Sequence, residues 1–440
     1  MDKVSGKLTV FFEEPFWMGV FERVSDGRLS VCKVTFGAEP KDYEIYDFIL
    51  KKYFHLRFSP TVETDVKDFG RNPKRVQREV HKHVEYRGIG TKSQHALQDM
   101  GHKRLAIEAG EDPQNNPIEY ILECIKTIYS IKHKNGAIRR VNVNIAATTV
   151  EEYRMLAEAG IGTYILFQET YNKESYEELH PYGPRSNYAY HTEAMDRAME
   201  GGIDDVGLGV LFGLELYRYE FAGLLMHAEH LEAVHGVGPH TISVPRVKHA
   251  DDIAPDAFDN GIDDDTFAKL CALIRISVPY TGMIISTRES KQVREKVIRL
   301  GVSQIRGASR TSVGGYCEPE PEDENSEQFD VSDKRTLDEV VKCLMEMGYI
   351  PSFCTACYRE GRTGDRFMSL CKSGQIQNCC HPNALMTLKE FLVDYASEDT
   401  KRIGEALIEA ELNNIPKEKV REICKENLVK IEQGIRDFRF

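Results

Sequence analysis

Arg140-Val-Asn-Val-Asn-Ile145 gives way to the polar break Ala146-Ala-Thr-Thr149, then to Val150-Glu-Glu-Tyr153 running on to Ala159, and then to Thr163-Tyr-Ile-Leu-Phe167. This reads as strand, helix, strand. The same alternation extends in both directions. Arg104-Leu-Ala-Ile-Glu108 precedes a helical stretch from Pro117 to Ile131, and Thr163 to Phe167 precedes a long one reaching Met199. Asp205-Val-Gly-Leu-Gly-Val210 leads into Tyr219 to Val234, and Thr241-Ile-Ser-Val244 into Asp264 to Ile276. Gly282-Met-Ile-Ile-Ser-Thr287 leads into Ser290 to Leu300, and Val302-Ser-Gln-Ile-Arg306 closes the series. Short strands separated by helices of ten or more residues predict a parallel sheet. Crossovers repeated this often favour a barrel over a doubly wound sheet. The strands number seven, however, where an ordinary barrel of this kind has about eight. The expected fold is therefore α/β: an incomplete (βα)8 TIM-type barrel of seven βα units.

The flanks read differently. Lys7-Leu-Thr-Val-Phe-Phe12, Phe16-Trp-Met-Gly-Val-Phe-Glu-Arg23 and Leu29-Ser-Val-Cys-Lys-Val-Thr-Phe36 are β-branched and aromatic, with Ser25-Asp-Gly-Arg28 as a hairpin turn. They predict a small curled antiparallel sheet, followed by a helix from about Asp42 to Tyr53, in a β-rich α+β domain over residues 1–97. From Lys67 to Leu97 the charge turns to +5. That stretch is a solvated helix face or a linker, or else a basic arm for nucleic acid. Residues 98–316 form the truncated barrel. Residues 317–440 form a C-terminal cluster-binding region, with an acidic loop from Glu318 to Ser332, helices at Thr336–Met347 and Asn383–Ala396, and two capping helices after Lys401.

Composition narrows the classes of function. Of 440 residues, 41% are hydrophobic and 29% charged, a globular balance rather than a disordered one. The formal net charge of −13 argues against a chain that coats nucleic acid along its length. No apolar run reaches the roughly 18 residues of a membrane span, and Glu13 and Glu14 break the first apolar run too early for a cleaved export signal. A cytoplasmic protein is expected. Of the eleven cysteines, Cys343, Cys354, Cys357, Cys371, Cys379 and Cys380 fall within 38 residues. Such clustering in a reducing compartment is a metal signal.

Cys354-Thr-Ala-Cys357 is followed, after 22 intervening residues, by Cys380. A C-x2-C turn puts two thiolates on one centre and a distant third cysteine closes it. Spacing alone leaves iron–sulfur and zinc both open, with Cys371, Cys379 or His381 available as a fourth ligand. At the C-terminal strand ends, where this fold keeps its chemistry, stand Glu108, Glu111, Asn144, Gln168, Glu169, Arg246, Ser286, Arg288, Glu289 and Arg310. Together they predict a polar pocket suited to a small zwitterion, since buried charges are costly unless paired. Gly207-Leu-Gly209 is explained as well by close backbone packing as by a ligand. His227 and His230, three apart, read as a helix-packing pair. His240, at the start of the strand Thr241–Val244, stands at the other end of the barrel, as a cap or a metal ligand.

Two resemblances add to this. Lys7-Leu-Thr-Val-Phe-Phe, Val34-Thr-Phe-Gly-Ala-Glu-Pro-Lys-Asp-Tyr-Glu, Asn72-Pro-Lys-Arg-Val-Gln-Arg-Glu and Gly88-Ile-Gly-Thr-Lys-Ser-Gln resemble the bacterial YjdF-type family over nearly all of residues 1–97. That family supplies a boundary rather than an activity. Asp99-Met-Gly-His-Lys-Arg-Leu-Ala-Ile-Glu-Ala-Gly-Glu-Asp-Pro, Tyr190-His-Thr-Glu-Ala-Met-Asp-Arg-Ala-Met, Gly201-Gly-Ile-Asp-Asp-Val-Gly-Leu-Gly-Val-Leu-Phe-Gly-Leu and Gly238-Pro-His-Thr-Ile-Ser-Val-Pro-Arg resemble the HydG family. These are the radical-SAM tyrosine lyases of FeFe-hydrogenase H-cluster maturation. The resemblance covers residues 99–440.

It implies S-adenosylmethionine (SAM) cleaved to a 5′-deoxyadenosyl radical, tyrosine broken to p-cresol and 2-iminoacetate, and that fragment converted to CO and cyanide on iron. It implies an auxiliary 4Fe-4S cluster on Cys354, Cys357 and Cys380, with His240 holding an extra iron. Glu111 and Glu169 would help bind SAM; Ser286 and Arg288 would fix the tyrosine carboxylate, a bidentate role suited to arginine. Other hydrogenase maturation proteins would be the partners. The family's C-x3-C-x2-C loop for the radical cluster is absent, because Cys32 is the sole cysteine before Gly101. The missing strand is the one that would carry it, with the YjdF-like module in its place. The sequence leaves open a working lyase supplied with its radical cluster from elsewhere, an iron–sulfur binding or carrier protein, or a fusion with no settled function.

Overall fold

A computed structural model describes residues 5–13, 16–25, 28–37, 40, 45, 48, 49, 51–53, 56, 58–60, 62, 63, 89–248, 258–310, 316 and 330–440. The chain divides into two compact units, residues 1–79 and 80–440.

In the first unit β1 (Ser5–Glu13), β2 (Phe16–Ser25), β3 (Arg28–Gly37) and the short β4 (Val62–Glu63) form one antiparallel sheet in chain order. The first two hairpins match the expected strands. The two-residue β4 carries too little pattern to be seen in a sequence. Phe21, paired with Leu8 and Cys32 across the sheet, is the buried centre. Its ring stands 6.0 Å from Phe48 and 5.8 Å from Tyr53. Gly19 is required by close approach, since a Cβ there would meet Phe36 at 2.6 Å. Most of the basic stretch from Lys67, and the acidic loop as far as residue 329, lie outside the described residues.

In the second unit β5 (Arg104–Glu108), β8 (Arg140–Asn144), β9 (Tyr164–Ile165), β10 (Val206–Gly209), β11 (Thr241–Ser243), β12 (Gly282–Ile285) and β13 (Gln304–Ile305) form a seven-stranded sheet. All described pairings between them are parallel. The spatial order is that of the chain, so β5 and β13 are the two edges. The open, incomplete barrel expected from the strand count of seven is what forms. β10 is buried at every residue, as a strand covered on both faces must be. Gly209 lies where a Cβ would meet the Phe167 ring at 2.4 Å, so the glycine pair of this strand serves close packing.

Helix starts follow local chemistry. Thr149 and Glu152 form a capping box before Val150–Glu158, and Thr336 and Glu339 another before Leu337–Glu346. Two features depart from expectation. The stretch before Met199 is three short helices, Lys173–Leu179, Tyr188–Thr192 and Ala194–Glu200, each started anew. A small hairpin, β6 (Lys132–His133) with β7 (Gly136–Ala137), follows the helix Ile118–Ser130. The helix Ile89–Asp99 belongs to the second unit, one helix away from the boundary at 97/98 read from the sequence. Its Gln94 Nε2 donates to the Ile128 carbonyl at 2.8 Å, and Gln98 Nε2 to that of Ile131 at 3.3 Å.

A separate core unites Leu337–Glu346, Gln377–Asp394, Glu398–Leu412 and Glu418–Glu432 around Leu385, Leu388, Phe391 and Ile431. Among the described residues no helix is long and apolar enough to cross a membrane.

Candidate functional site

The C-terminal ends of the strands enclose a cavity of about 480 Å³. Its lining brings together Glu111, Glu169, Ser286 and Arg288, residues up to 177 positions apart in the chain, because each follows a parallel strand or its loop. Glu108, Arg185 and Arg306 complete three acids and three arginines. Arg185 reaches Glu169 at 3.4 Å and Glu111 at 3.9 Å; Arg306 reaches Glu108 at 3.6 Å. The Ser286 hydroxyl accepts from the Arg288 backbone N–H at 3.3 Å, so both sit on one turn after β12. Burial raises the Glu169 carboxyl, with Arg185, His180 and Arg288 opposing it. Burial lowers the Arg288 guanidinium, with Glu169 opposing. A cavity lined by three acids and three arginines suits a ligand carrying both signs.

The pocket is smaller than the strand ends implied. Gln168, Arg246, Glu289 and Arg310 are not among its lining residues. Arg246 and Glu289 form a buried pair with each other, Arg246 adding Asp264 at 2.8 Å and the Phe267 ring at 4.3 Å. Gln168 is spent on Thr192 at 2.9 Å. Arg185, on the short turn Pro184–Ser186, carries no periodic signal and was not legible in the sequence.

At the opposite ends of the strands lies the cysteine group. Cys354 precedes and Cys357 sits within the short helix Ala356–Arg359, Cys371 ends Gly364–Lys372, and Cys380 is in the first turn of Gln377–Asp394. A hydrogen bond from Cys380, with Arg362 close by, holds the Cys357 thiol down at about 6 against burial. The same contact pushes the Cys380 thiol well up, with the charges of Cys357, Cys354 and Cys371 adding to it. Burial raises Cys354 and Cys371. Cys357 thus acts on each of the other three thiols.

The walls of this site come from the sheet. Arg104, the first residue of β5, donates to the Cys354 carbonyl at 2.5 Å. Arg140, the first of β8, lies 3.6 Å over the Tyr358 ring, and Tyr358 reaches Thr163 at 3.2 Å. His240 stands just before β11, 5.8 Å from Tyr358 and 5.0 Å from Phe367 between ring centroids, with Nδ1 3.5 Å from the buried Asp205. Burial lowers His240 to about 4, keeping it neutral and able to act as a ligand. His381 instead turns to Glu411, its Nε2 3.0 Å from the carbonyl. The His227 and His230 pair divides, His227 to Tyr171 at 3.0 Å and His230 to Asp196 at 2.8 Å, as helix packing requires.

Whether an iron–sulfur cluster suits these residues can be judged from their polar atoms. His240 Nδ1, Asp205 Oδ2, Thr355 Oγ1 and the Nε of Arg104, Arg359 and Arg362 are buried here with no hydrogen-bond partner. Soft thiolate donors ringed by arginines suit an anionic cluster. Among the described residues no three His, Cys, Asp or Glu side chains converge to hold a single metal ion.

Known proteins resemble each part. Residues 8–114 match a family described as a protein of unknown function, DUF2992, and residues 243–350 match the biotin and thiamin synthesis associated domain. The protein YjdF of Bacillus subtilis is 34% identical over 108 residues, 23% of this chain and 63% of that protein. The 2-iminoacetate synthase of Escherichia coli is 26% identical over 258 residues, 58% of this chain and 65% of the synthase, so the chain spans somewhat under two thirds of that relative. A crystal structure of HydG, a maturase of the FeFe-hydrogenase, is 58% identical with a TM-score of 0.77, over 80% of this chain and 76% of that one. HydG from Carboxydothermus hydrogenoformans is 39% identical with a TM-score of 0.65, over 77% and 73%. With the open parallel barrel, the rim pocket and the thiol group found in one chain, these matches show that it belongs to the HydG family of FeFe-hydrogenase maturases.

Proposed function

We propose that this chain is an iron–sulfur-binding HydG-type protein of hydrogenase maturation that does not itself cleave SAM. The grouping of the four thiols with the orphaned buried polar atoms around them carries the reading. Cys354, Cys357 and Cys380 hold the auxiliary 4Fe-4S cluster, and His240 an extra iron beside it. When bound, such a cluster supplies an iron site at which small inorganic ligands are assembled. Arg104 would offset the charge of the Cys354 thiolate and Arg362 that of Cys357, Arg359 being shared with Asp437, and Tyr358 with Arg140 fastens their loop to the sheet.

In the rim pocket Arg288 and Ser286 take the carboxylate of tyrosine, while Glu169 and Glu111 accept the ammonium of SAM. Reductive cleavage of SAM needs an iron with an open position, held by three cysteines beside that pocket. Among the described residues, Cys124 and Cys271 are the cysteines between β5 and β13, and both sit inside helices, Ile118–Ser130 and Asp264–Ser277. Neither can converge on the rim.

Anaerobic reconstitution followed by iron counting tests the cluster. About four irons per chain are expected, lost when Cys354 and Cys357 are replaced by alanine. Full iron in that double variant, or tight binding of zinc alone, refutes the assignment. The same reconstituted protein with SAM, tyrosine and reductant should yield no 5′-deoxyadenosine or p-cresol above a protein-free control. Either product above that control refutes the second half of the proposal.

A further inference from the structure

Glu169 has a backbone φ of +64°. A side chain with a Cβ seldom adopts this left-handed region, and where one does the surroundings must enforce it. The enforcing contacts can be named. On one side Gln168 N–H donates to the Gly209 carbonyl and Leu211 N–H to the Glu169 carbonyl, each at 2.9 Å, tying the turn to the loop after β10. On the other side stands Glu220, in the first turn of the helix Tyr217–His235 and fully buried. Its carboxylate accepts the Thr170 hydroxyl and, at 2.9 Å, the Tyr171 backbone N–H. Thr170 Oγ1 in turn accepts from Asn172 N–H at 3.0 Å. Among the described residues no lysine or arginine pairs with Glu220, so these two hydrogen bonds and the positive end of its own helix are what stabilise it. A buried acid without a counter-ion is retained at a cost, and among the described residues the segment its hydrogen bonds grip is the turn that carries Glu169.

We infer that Glu220 is a positioning residue, which holds the Gln168–Tyr171 turn so that the Glu169 carboxylate faces the rim pocket as an ammonium acceptor. This rests on the ligand reading of that pocket. The effect of Glu220 on a ligand must therefore pass through Glu169, and this makes the two positions coupled rather than additive.

The test uses the full chain, with SAM as the probe in isothermal titration of wild type, Glu169→Gln, Glu220→Leu and the double variant. Each single change should weaken binding about tenfold, and the double variant should bind no worse than Glu169→Gln alone. Glu220→Gln should stay within about twofold of wild type, because its carbonyl can still take the Tyr171 N–H and its amide can turn to Thr170. Hydrogen exchange provides the second readout. The Leu211 amide, which donates to the Glu169 carbonyl, should lose protection in Glu220→Leu and keep it in Glu169→Gln. A purely structural Glu220 would lower the melting temperature while leaving the cycle additive, and that result overturns the inference. Unchanged Leu211 protection in Glu220→Leu overturns it as well. A wild type that takes up no SAM overturns the ligand reading and this inference with it, and the exchange data distinguish that case from a failure of Glu220 alone.

Discussion

At the scale of single residues, several buried charges of the second unit are answered by a charged neighbour. Arg294 is fully buried in the helix Lys291–Arg299 and pairs with Asp333, which is almost as deep, while Arg335 reaches the same carboxylate at 2.6 Å. Burial works to raise the Asp333 carboxyl, but the hydrogen bond from Arg335 and the charge of Arg294 hold it at about 2. An unfolded aspartate titrates near 3.9. The folded value lies below it, so this group's contribution to stability is present above about pH 4 and disappears as pH falls toward 2. Asp333→Asn should cost about 3–5 kcal/mol at neutral pH, because it leaves Arg294 buried without its charge partner. It should also flatten the acid limb of a plot of melting temperature against pH. A variant that melts like wild type at pH 7 contradicts this account.

Elements are joined by their ends. The helix Leu337–Glu346 links the two cores of the second unit. Val341 and Met345 enter the helical core, while Leu337 and Val340 pack over Gly307 just after β13. Its start depends on Thr336, whose hydroxyl accepts the Glu339 N–H at 3.3 Å while the Glu339 carboxylate takes the Thr336 N–H at 2.8 Å. Thr336→Ala should therefore lower stability by about 1 kcal/mol in chemical denaturation, with the slope unchanged. A loss below a few tenths of that value would mean that packing alone sets the helix start. At the sheet edges the Arg306–Glu108 bridge crosses between the ends of β13 and β5. Both side chains are over a third exposed, so it belongs to the pocket's electrostatics more than to stability.

For the whole molecule, the division into residues 1–79 and 80–440 has a thermodynamic consequence. The first unit has its own sheet around Phe21, and the second has two cores of its own. Units with separate cores melt separately. Scanning calorimetry of the full chain should resolve two transitions, and binding of a cluster should raise only the one belonging to the second unit. A single transition that shifts as a whole on reconstitution contradicts independent folding. The experiment also bears on the YjdF-like segment as a module in its own right, which we propose folds alone.

Read by itself, the sequence determined the parts that rest on local pattern. Strand runs such as Arg140–Asn144 and Val206–Gly209 show their period directly, and a count of seven follows from them. The C-x2-C-x22-C spacing is equally local, and so is the absence of a second cysteine loop. It also nominated ten polar strand-end groups, because a parallel sheet sends every strand's C-terminal end to one side, and the resemblance to HydG implied Glu111, Glu169, Ser286 and Arg288 among them. Tertiary structure alone decided which of the strand-end groups share a cavity. Arg246 and Glu289 neutralise each other in the core, whereas Arg185, on an irregular turn, swings in to join Glu169 and Glu111. It decided that Arg104, Arg140 and Asp205, first residues of strands or their neighbours, wall the thiol group from below. It decided also that Glu220, 51 positions from Glu169, grips the turn that carries it. The reason is physical. Periodicity reports which face of an element is buried, but the partner of a buried charge is chosen by three-dimensional packing, across separations in sequence that leave no local trace.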